Sequence, residues 1–370
     1  MKTVLLIGSS YSSLPILFYL KKLKYRVYVC GAYKNDPAHL YADKSFFIDY
    51  SKKEELLRLC INEHFDFIVP SCNDYAYNSA SFVADKLKNF CGFDNFETTM
   101  LLHTKSKFRK YLIENNFSSP KKYNNIDKLD FPVLIKPNAQ FSGRGIIKIN
   151  NENELKNINN IENCVIEEYV EGDLYSHSVF IKNGKIEKDF FVREVCSVYE
   201  YQVDISWVES LNANLIKKIR NEINRLIKQL NLTDGLLHTQ FIVNENNFYL
   251  IETMRRCPGD LYGELIKKST NFDYIKYYVE PFINKQNNFD FESKEKNIIR
   301  HTISTAFDIN FRSLYFDRGN IEFYPLKESG YITKKAPYDK IGILFYEIES
   351  LNEIKKSISK IKQIYKIKDY

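Results

Sequence analysis

The sequence has no CxxC pair and no long apolar run, and both absences narrow the class of protein. Its seven cysteines are an odd number and lie scattered along the chain, which favours reduced thiols in the cytoplasm over a disulfide framework. No apolar run reaches the ~18 residues that a membrane-spanning helix needs. Residues 9–13 interrupt the apolar N-terminus and no small-residue cleavage site follows, so we expect neither a signal peptide nor a membrane partner.

A large excess of charge of one sign is also missing. The net charge is +6, from 53 Lys and Arg residues against 47 Asp and Glu residues. Because there is no long basic block and no zinc finger, we expect no nucleic-acid partner. A net charge of this size is as compatible with an anionic small molecule as with nucleic acid. Hydrophobic residues make up 44% of the chain, which is typical of a soluble globular protein, here of two or three domains.

The dinucleotide-binding fingerprint GxGxxG is absent as well. Residues 8–13 read Gly-Ser-Ser-Tyr-Ser-Ser, which argues against a nicotinamide site, although a polar turn at a helix start could hold a carboxylate or phosphate. Around this turn, short apolar runs alternate with helical patterns, which predicts a parallel sheet covered by helices. We therefore expect an α/β Rossmann-like domain over residues 1–95. Asn73 and Asp74 follow one of its strands and either face a ligand crevice or cap the next helix.

The pattern changes after this region. Runs of strands with helices set to one side predict an α+β domain over residues 96–290. Residues 291–370 read as a small C-terminal α/β extension that matches no motif. This extension either completes an active site or forms the interface of a homodimer.

A lysine stands at the mouth of a glycine loop in the segment FPVLIKPNAQFSGRGII, residues 131–147. Lys136 ends an apolar run, and Ser142, Gly143 and Gly145 follow it. A lysine is a point charge that suits phosphate oxygens, and glycines allow backbone N–H groups to approach them closely. The segment is not a P-loop, because GxxxxGK[ST] is absent. The alternative is a solvated lysine beside an ordinary hairpin turn.

Two further segments favour a nucleotide site. In CVIEEYVEGD, residues 164–173, an apolar strand runs into acidic residues. In a hairpin that turns at residues 244–247, Gln240 lies on one strand and Glu252 ends the other, shortly before Arg255 and Arg256. A buried carboxylate is rarely left unpaired. A carboxylate and a guanidinium near a lysine–glycine loop therefore indicate a magnesium–nucleotide site.

In this order and spacing the segments resemble the ATP-grasp superfamily over roughly residues 1–290. The resemblance rests on the segments VPSCNDYAYNSA, TKSKFRKYL, FPVLIKPNAQFSGRGI, VIEEYVEGD and HTQFIVNENNFYLIETMRR. None of these motifs is specific by itself, but their succession in one chain is. It implies a pre-ATP-grasp domain followed by an ATP-grasp domain that holds ATP between two subdomains, which divide near residue 162.

The resemblance implies which residues bind ATP. Lysines reach the phosphates, the glycine loop closes over the γ-phosphate, and the end of the acidic strand binds adenine. The matching positions here are Lys105, Lys136, Ser142, Gly143, Gly145, Glu167, Glu168, Val170 and Asp173. Asp173 is included because Leu174 stands where many members of the superfamily have a ribose-binding acid.

The resemblance also implies a Mg²⁺ site at Gln240 and Glu252, with two departures from the usual pattern. The family motif reads Glu, then Glu-x-Asn, whereas here Gln240 replaces the first glutamate and Met254 replaces the asparagine. A thioether is a poor Mg²⁺ ligand, while an amide oxygen can bind without supplying charge. We expect weaker metal binding, or a second carboxylate from Asp260 or Glu264.

Three residues are candidates for binding substrate. Arg256 matches the arginine that supports the transferred phosphoryl group, so we expect it to be catalytic together with Lys136. Arg193 either clamps a substrate carboxylate or forms a surface salt bridge. His238 shares one face of a strand with Gln240, and it either orients substrate and assists proton transfer or is a hydrogen-bonded structural residue.

These roles predict an ATP-dependent carboxylate–amine ligase that acts on small molecules through an acyl-phosphate, with ATP and Mg²⁺ as cofactors. Two alternatives stay open. One is a kinase-like phosphoryl transfer that ends at a phosphorylated product. The other is a catalytically impaired nucleotide-binding module, which the residues Gln240 and Met254 would explain.

Overall fold

The computed structural model describes residues 1–126, 128–138, 143–158, 163–286, 288–317, 319–356, 358 and 364–369. Its N-terminal part is a parallel sheet flanked by helices. The strands are β1 (Thr3–Ile7), β2 (Arg26–Cys30), β3 (Lys44–Phe46) and β4 (Phe67–Pro70), and the helices are α1 (Leu14–Lys22), α2 (Ala38–Tyr41), α3 (Lys53–Asn62) and α4 (Asp74–Leu87). The strand order is β3-β2-β1-β4.

Strand β1 explains why this sheet is covered on both faces. Val4 and Leu6 pack with α1 in one apolar cluster, while Leu5 and Ile7 pack with α3 and α4 in another. Successive side chains of a strand point to opposite faces, so a strand that is apolar at every position needs cover on both sides. The arrangement confirms the predicted α/β Rossmann-like fold.

A small antiparallel sheet follows. The helices and strands of this region are α5 (Phe96–His103), α6 (Lys105–Glu114), β5 (Lys122–Tyr123), β6 (Val133–Pro137), β7 (Ile147–Ile149), α7 (Glu152–Lys156) and β8 (Cys164–Glu168). The strand order is β5-β8-β6-β7, and Lys136 on β6 pairs with Val165 on β8. The division expected near residue 162 lies outside the described residues.

The centre of the molecule is a larger antiparallel sheet. It begins with β9 (Asp173–Lys182), β10 (Lys185–Val195), β11 (Ile205–Val208), α8 (Ala213–Gln229), β12 (Gly235–Asn244), β13 (Asn247–Met254), α9 (Tyr262–Thr270) and α10 (Tyr274–Val279). Helix α8 starts at the cap residue Asn212, which accepts the Leu215 N–H at 2.9 Å. Its apolar stripe packs on the sheet because Leu215, Ile219 and Ile223 recur every four residues.

The C-terminal region adds strands to this same sheet. Its elements are β14 (Ile298–Ile303), β15 (Ile309–Phe316), β16 (Ile321–Pro325), β17 (Ile332–Thr333), β18 (Gly342–Glu347), α11 (Leu351–Lys356) and β19 (Tyr365–Asp369). The large sheet runs in the order β13-β12-β9-β10-β11-β14-β18-β16, and β17-β15-β19 form a separate three-stranded sheet. The domain boundaries near residues 95 and 290 stay predictions. Among the described residues, no helix is both long and apolar enough to cross a membrane.

Candidate active site

A cavity of about 750 Å³ opens between the N-terminal sheet, the small antiparallel sheet and the large sheet. Most of the residues selected from the sequence lie in its wall. They are Lys105, Lys136, Gly143, Glu167, Val170, Arg193, His238, Gln240, Glu252 and Arg256. Gly145, Glu168 and Asp173 are absent from the lining, and Ser142 lies outside the described residues.

Lys136 is held by a buried network of charges. Its ammonium contacts one carboxylate oxygen of Glu167, and the other oxygen lies 3.0 Å from Nε of Arg109. Only 7% of Lys136 and 2% each of Glu167 and Arg109 are exposed. Burial alone would raise the pKa of Glu167, but the two cations hold it below its ordinary value. The lysine is therefore held in a buried ion pair. The alternative prediction, a solvated lysine beside an ordinary hairpin turn, is wrong.

Two other predicted residues lie on or just after the strand that carries Glu167. The Glu168 carboxylate accepts the Lys121 N–H at 2.8 Å, and the Glu168 N–H donates to the Lys121 carbonyl. Val170 follows the strand end and faces the cavity. Lys121, which supplies both partners of Glu168, does not line the cavity, whereas Glu167 and Val170 do.

The residues selected for the metal are cross-strand neighbours. Gln240 on β12 lies opposite Glu252 on β13. Glu252 is partly exposed, and its carboxylate lies 4.0 Å from the Lys105 ammonium. The Gln240 amide donates to the Glu194 carboxylate at 2.6 Å. Carboxylate and amide oxygens are hard donors that suit Mg²⁺, so these residues fit the ion that the resemblance implies.

Glu194 is a site residue that the sequence analysis missed. It is 3% exposed, lines the cavity, and lies next to the chosen Arg193 on β10. Burial raises the pKa of Glu194, an effect that the Arg300 cation opposes. Successive residues of a strand point to opposite faces, so the choice of Arg193 in the run FFVREV did not extend to Glu194.

The other carboxylates considered for the metal have different surroundings. Asp260 pairs with the Lys340 ammonium at 2.5 and 2.7 Å and accepts the Tyr11 hydroxyl at 2.5 Å. These partners lower the pKa of Asp260 to about 2 although burial opposes them. Glu264 does not line the cavity. Within the described part of the chain, no group of three or more His, Cys, Asp or Glu side chains could hold a metal, so an Mg²⁺ ion here would also need oxygen ligands from the nucleotide or from water.

Arg256 reaches the cavity in a defined orientation. Its guanidinium lies 2.9 Å from the Asp74 carboxylate, which also contacts His103 Nδ1 at 3.2 Å. The other nitrogen of His103 accepts the Arg255 N–H at 3.0 Å, so the ring proton is on Nδ1 and points to Asp74. Burial alone would raise the pKa of Asp74, but Arg256 and His103 hold it well below its usual range.

The two polar residues that follow β4 both line the cavity. Asn73 caps α4, because its side chain accepts the Ala76 N–H at 2.9 Å. Asp74 lies at the cavity wall and orients Arg256. Asn73 lines the cavity as well, so both alternatives hold for Asn73 and the first holds for Asp74.

The two remaining substrate candidates are engaged with the chain to different degrees. The Arg193 guanidinium pairs with Asp173 and donates to the carbonyls of Leu174 at 2.8 Å and Glu194 at 2.9 Å. His238 contacts the Ser178 hydroxyl through Nδ1 at 2.8 Å. Burial lowers the pKa of His238 well below its usual value, so its imidazole is neutral near pH 7.

The C-terminal region supplies cavity residues that no motif indicated. Arg300 on β14 lies beside Ser206 on β11, and its Nε donates to the Ser206 hydroxyl at 2.8 Å. Lys340 precedes β18 and holds Asp260. Both line the cavity. The C-terminal region therefore contributes to the candidate site, which is one of the two roles expected for it.

Gly143 approaches the opposite wall of the cavity closely. Gly143 has φ +71°, and a Cβ added there would lie 2.1 Å from the Tyr201 carbonyl oxygen. Its own carbonyl accepts the Tyr199 hydroxyl at 3.3 Å. Gly145 has φ +73° and faces Pro137. Glycine at position 143 is thus required by both backbone conformation and space.

Replacing Gly143 with alanine is expected to lower kcat/KM for ATP about 10²-fold, since even a ~1 Å misplacement of a binding loop can have that effect. Steady-state rates of ADP release measure it. Gly184→Ala is the matched control, because Gly184 has φ +69° but no atom within 4 Å of an added Cβ. Both variants carry a similar backbone strain of about 1 kcal/mol, so an equal loss of activity in both would contradict the assignment.

Comparison with known proteins gives consistent results. Residues 102–259 match a family model described as an ATP-grasp domain. Formate-dependent phosphoribosylglycinamide formyltransferase from Prochlorococcus marinus subsp. pastoris is 25% identical over 303 residues, which cover 76% of each chain. Phosphoribosylglycinamide synthetase from Anaerococcus prevotii has a TM-score of 0.79 at 19% identity over 99% of both chains.

A second solved structure extends the same similarity. The L-amino acid ligase from Bacillus licheniformis has a TM-score of 0.81 at 17% identity, over 100% of this chain and 98% of its own. At such identities the solved structures bear on the fold alone. They confirm the succession of a parallel N-terminal sheet and an antiparallel ATP-grasp sheet.

Proposed function

Because the chain belongs to the ATP-grasp superfamily of ATP-dependent ligases, we propose that it joins a small-molecule carboxylate to an amine through an acyl-phosphate. One observation carries the proposal. A buried lysine, a cavity-facing arginine and the Gln240–Glu252 pair come from distant parts of the chain and line one cavity. A cation, hard oxygen donors and a second cation are what transfer of a γ-phosphoryl group requires.

The nucleotide is proposed to lie between the small and large sheets. Lys136 would neutralise the α- and β-phosphates from a position fixed by Glu167. Gly143 and its loop would cover the γ-phosphate, and Val170 would border the adenine. Lys105 stands near Glu252 and would bind the phosphates from α6. Mg²⁺ bound to Glu252, Gln240 and the phosphates would neutralise charge that develops on the γ-phosphoryl group.

The proposed reaction has two steps. An oxygen of the substrate carboxylate attacks the γ-phosphorus, the bond to the β-phosphate oxygen breaks, and ADP leaves. The Arg256 guanidinium, oriented by Asp74, stabilises the spread negative charge. The amine nitrogen then attacks the carbonyl carbon, the C–O bond breaks, and phosphate leaves. The proton that the nitrogen loses passes to solvent.

The test is a panel of acid and amine pairs scored by the release of ADP and phosphate. It begins with formate and with L-amino acids, which the names of the curated relative and of one solved neighbour suggest. We expect ADP release that depends on both acid and amine. A carboxylate labelled with ¹⁸O should transfer one labelled oxygen to the released phosphate, because the acyl-phosphate bridges through that oxygen.

Other outcomes would favour the alternatives. ADP release without amine, together with a stable phosphorylated product, would identify a kinase-like enzyme. ATP binding without turnover across the panel would identify a nucleotide-binding module, which the presence of Met254 and Gln240 in the metal motif would then explain. We also propose a cytoplasmic location, which the seven free cysteines support.

A further inference from the structure

Glu194 and Gln240 meet across an intervening strand. Glu194 lies on β10 and Gln240 on β12, with β9 between them. Ser176 is the β9 residue opposite Gln240, and it is fully buried. Because serine is small, the two longer side chains can reach each other above it. Their contact, at 2.6 Å between Gln240 Nε2 and a Glu194 oxygen, is the length of a charge-assisted hydrogen bond.

This contact fixes which way the Gln240 amide points. The donor in this contact is Nε2 of Gln240, so the NH₂ group of the amide faces Glu194. The carbonyl oxygen is then turned away from Glu194. Gln240 lines the cavity beside Glu252, its cross-strand neighbour. In the described part of the chain, no hydrogen bond occupies this carbonyl oxygen, which leaves it available to a ligand.

We propose that Glu194 is a positioning residue for the metal site, an inference that rests on the proposed function. It would hold the Gln240 amide with its NH₂ group toward β10 and its carbonyl oxygen turned toward the cavity, where Mg²⁺ would bind. Carboxylates that hydrogen-bond to a metal ligand orient it and increase its basicity. The chain thus keeps two carboxylates and one amide near the ion, with one carboxylate moved from the strand β12 to β10.

The experiment uses the full chain saturated with ADP, with Mn²⁺ as the probe in place of Mg²⁺. Electron paramagnetic resonance of free Mn²⁺ gives the dissociation constant of the ion. In Glu194→Gln, we expect Mn²⁺ affinity to fall about 10–100-fold, because a glutamine at position 194 can hold the Gln240 amide in either orientation. ADP affinity measured in EDTA should stay unchanged.

Two further variants separate positioning from general damage. The exchange Glu194→Gln/Gln240→Glu keeps one carboxylate and one amide in contact, so it should bind Mn²⁺ within about threefold of the natural chain. Glu264→Gln is the matched control, because Glu264 is also a largely buried carboxylate whose pKa burial raises, yet it lies outside the cavity lining. It should leave Mn²⁺ affinity unchanged.

The outcomes distinguish this inference from the proposed function. If the natural chain holds Mn²⁺ tightly with ADP but Glu194→Gln does too, the positioning role is wrong and the proposed function stands. Glu194→Gln could also bind Mn²⁺ weakly because it folds poorly. If the exchanged variant Glu194→Gln/Gln240→Glu binds Mn²⁺ as weakly as Glu194→Gln does, the positioning role is wrong. If the natural chain with ADP binds Mn²⁺ no more tightly than ADP does in solution, both the positioning role and the proposed metal site are wrong.

Discussion

Replacing Lys136 with alanine is expected to lower kcat by about 10²–10³-fold, the typical loss when one preorganised group that stabilises transition-state charge is removed. The ammonium is almost fully buried and held by Glu167. Water that enters the space left by the side chain would carry no positive charge, so it cannot take over the role of the ammonium. Initial rates of ADP release with the substrate pair identified by the panel provide the measurement.

The fold should survive this change. Glu167 keeps its ion pair with Arg109 at 3.0 Å, so the remaining buried carboxylate is not left without a cation. The cost should therefore be below the ~3–5 kcal/mol of a fully broken buried pair, which thermal unfolding can check. Lys121→Ala is the control, since Lys121 forms an exposed ion pair with Asp130, and such pairs contribute ~0–1 kcal/mol. Unchanged turnover in Lys136→Ala would refute the site.

The residues of this site that sequence could identify are those whose chemistry conflicts with their local pattern. Lys136 ends an apolar strand, and Glu252 ends another, so burial of a charge could be inferred before any contact was known. Gly143 was recognisable because a glycine next to a cation suggests a phosphate. In each case the signal is local, since two or three neighbours along the chain define the strand and its buried end.

The residues that were missed depend on contacts between distant segments. Arg300 enters the cavity because β14 pairs with β11, a register that sequence spacing does not reveal. Lys340 is placed by its contact with Asp260, 80 residues away. Glu194 was within reach of the alternation rule, but the sequence gives no criterion for which face of β10 meets the cavity. Arg193 was chosen because a guanidinium suggests a substrate carboxylate, whereas it also binds backbone carbonyls of its own sheet.

The charges in the cavity explain why so many titratable groups can be buried together. Glu167 has Lys136 and Arg109, Asp74 has Arg256, and Asp260 has Lys340. Each buried carboxylate with a depressed pKa thus has a cation at hydrogen-bonding distance, as burial of charge requires. Glu252 differs, because its nearest cation is 4.0 Å away. Among these four carboxylates, Glu252 therefore has the most capacity to accept a cationic ligand.

The adjacent arginines 255 and 256 should respond to alanine in opposite ways. Arg256→Ala is expected to lower kcat about 10²–10³-fold, because the cation that faces the cavity would be lost, while ADP affinity stays within about twofold. Arg255→Ala is expected to lower the free energy of unfolding by about 3–5 kcal/mol, because it would leave Asp94 buried without its partner at 2.7 Å. Rates per folded molecule should be unchanged in Arg255→Ala. ADP-release kinetics and urea unfolding measure the two effects.

The contrast rests on the direction of each side chain. Arg255 also donates to the Thr233 carbonyl at 2.7 Å and is 2% exposed, whereas Arg256 lines the cavity and contacts Asp74. Because Arg256→Ala leaves Asp74 with His103 alone, the pair Arg256→Ala/Asp74→Asn removes the uncompensated charge and should restore stability without restoring turnover. If this double variant regained activity, or if Arg255→Ala lost turnover at full stability, the roles given to the two arginines would be wrong.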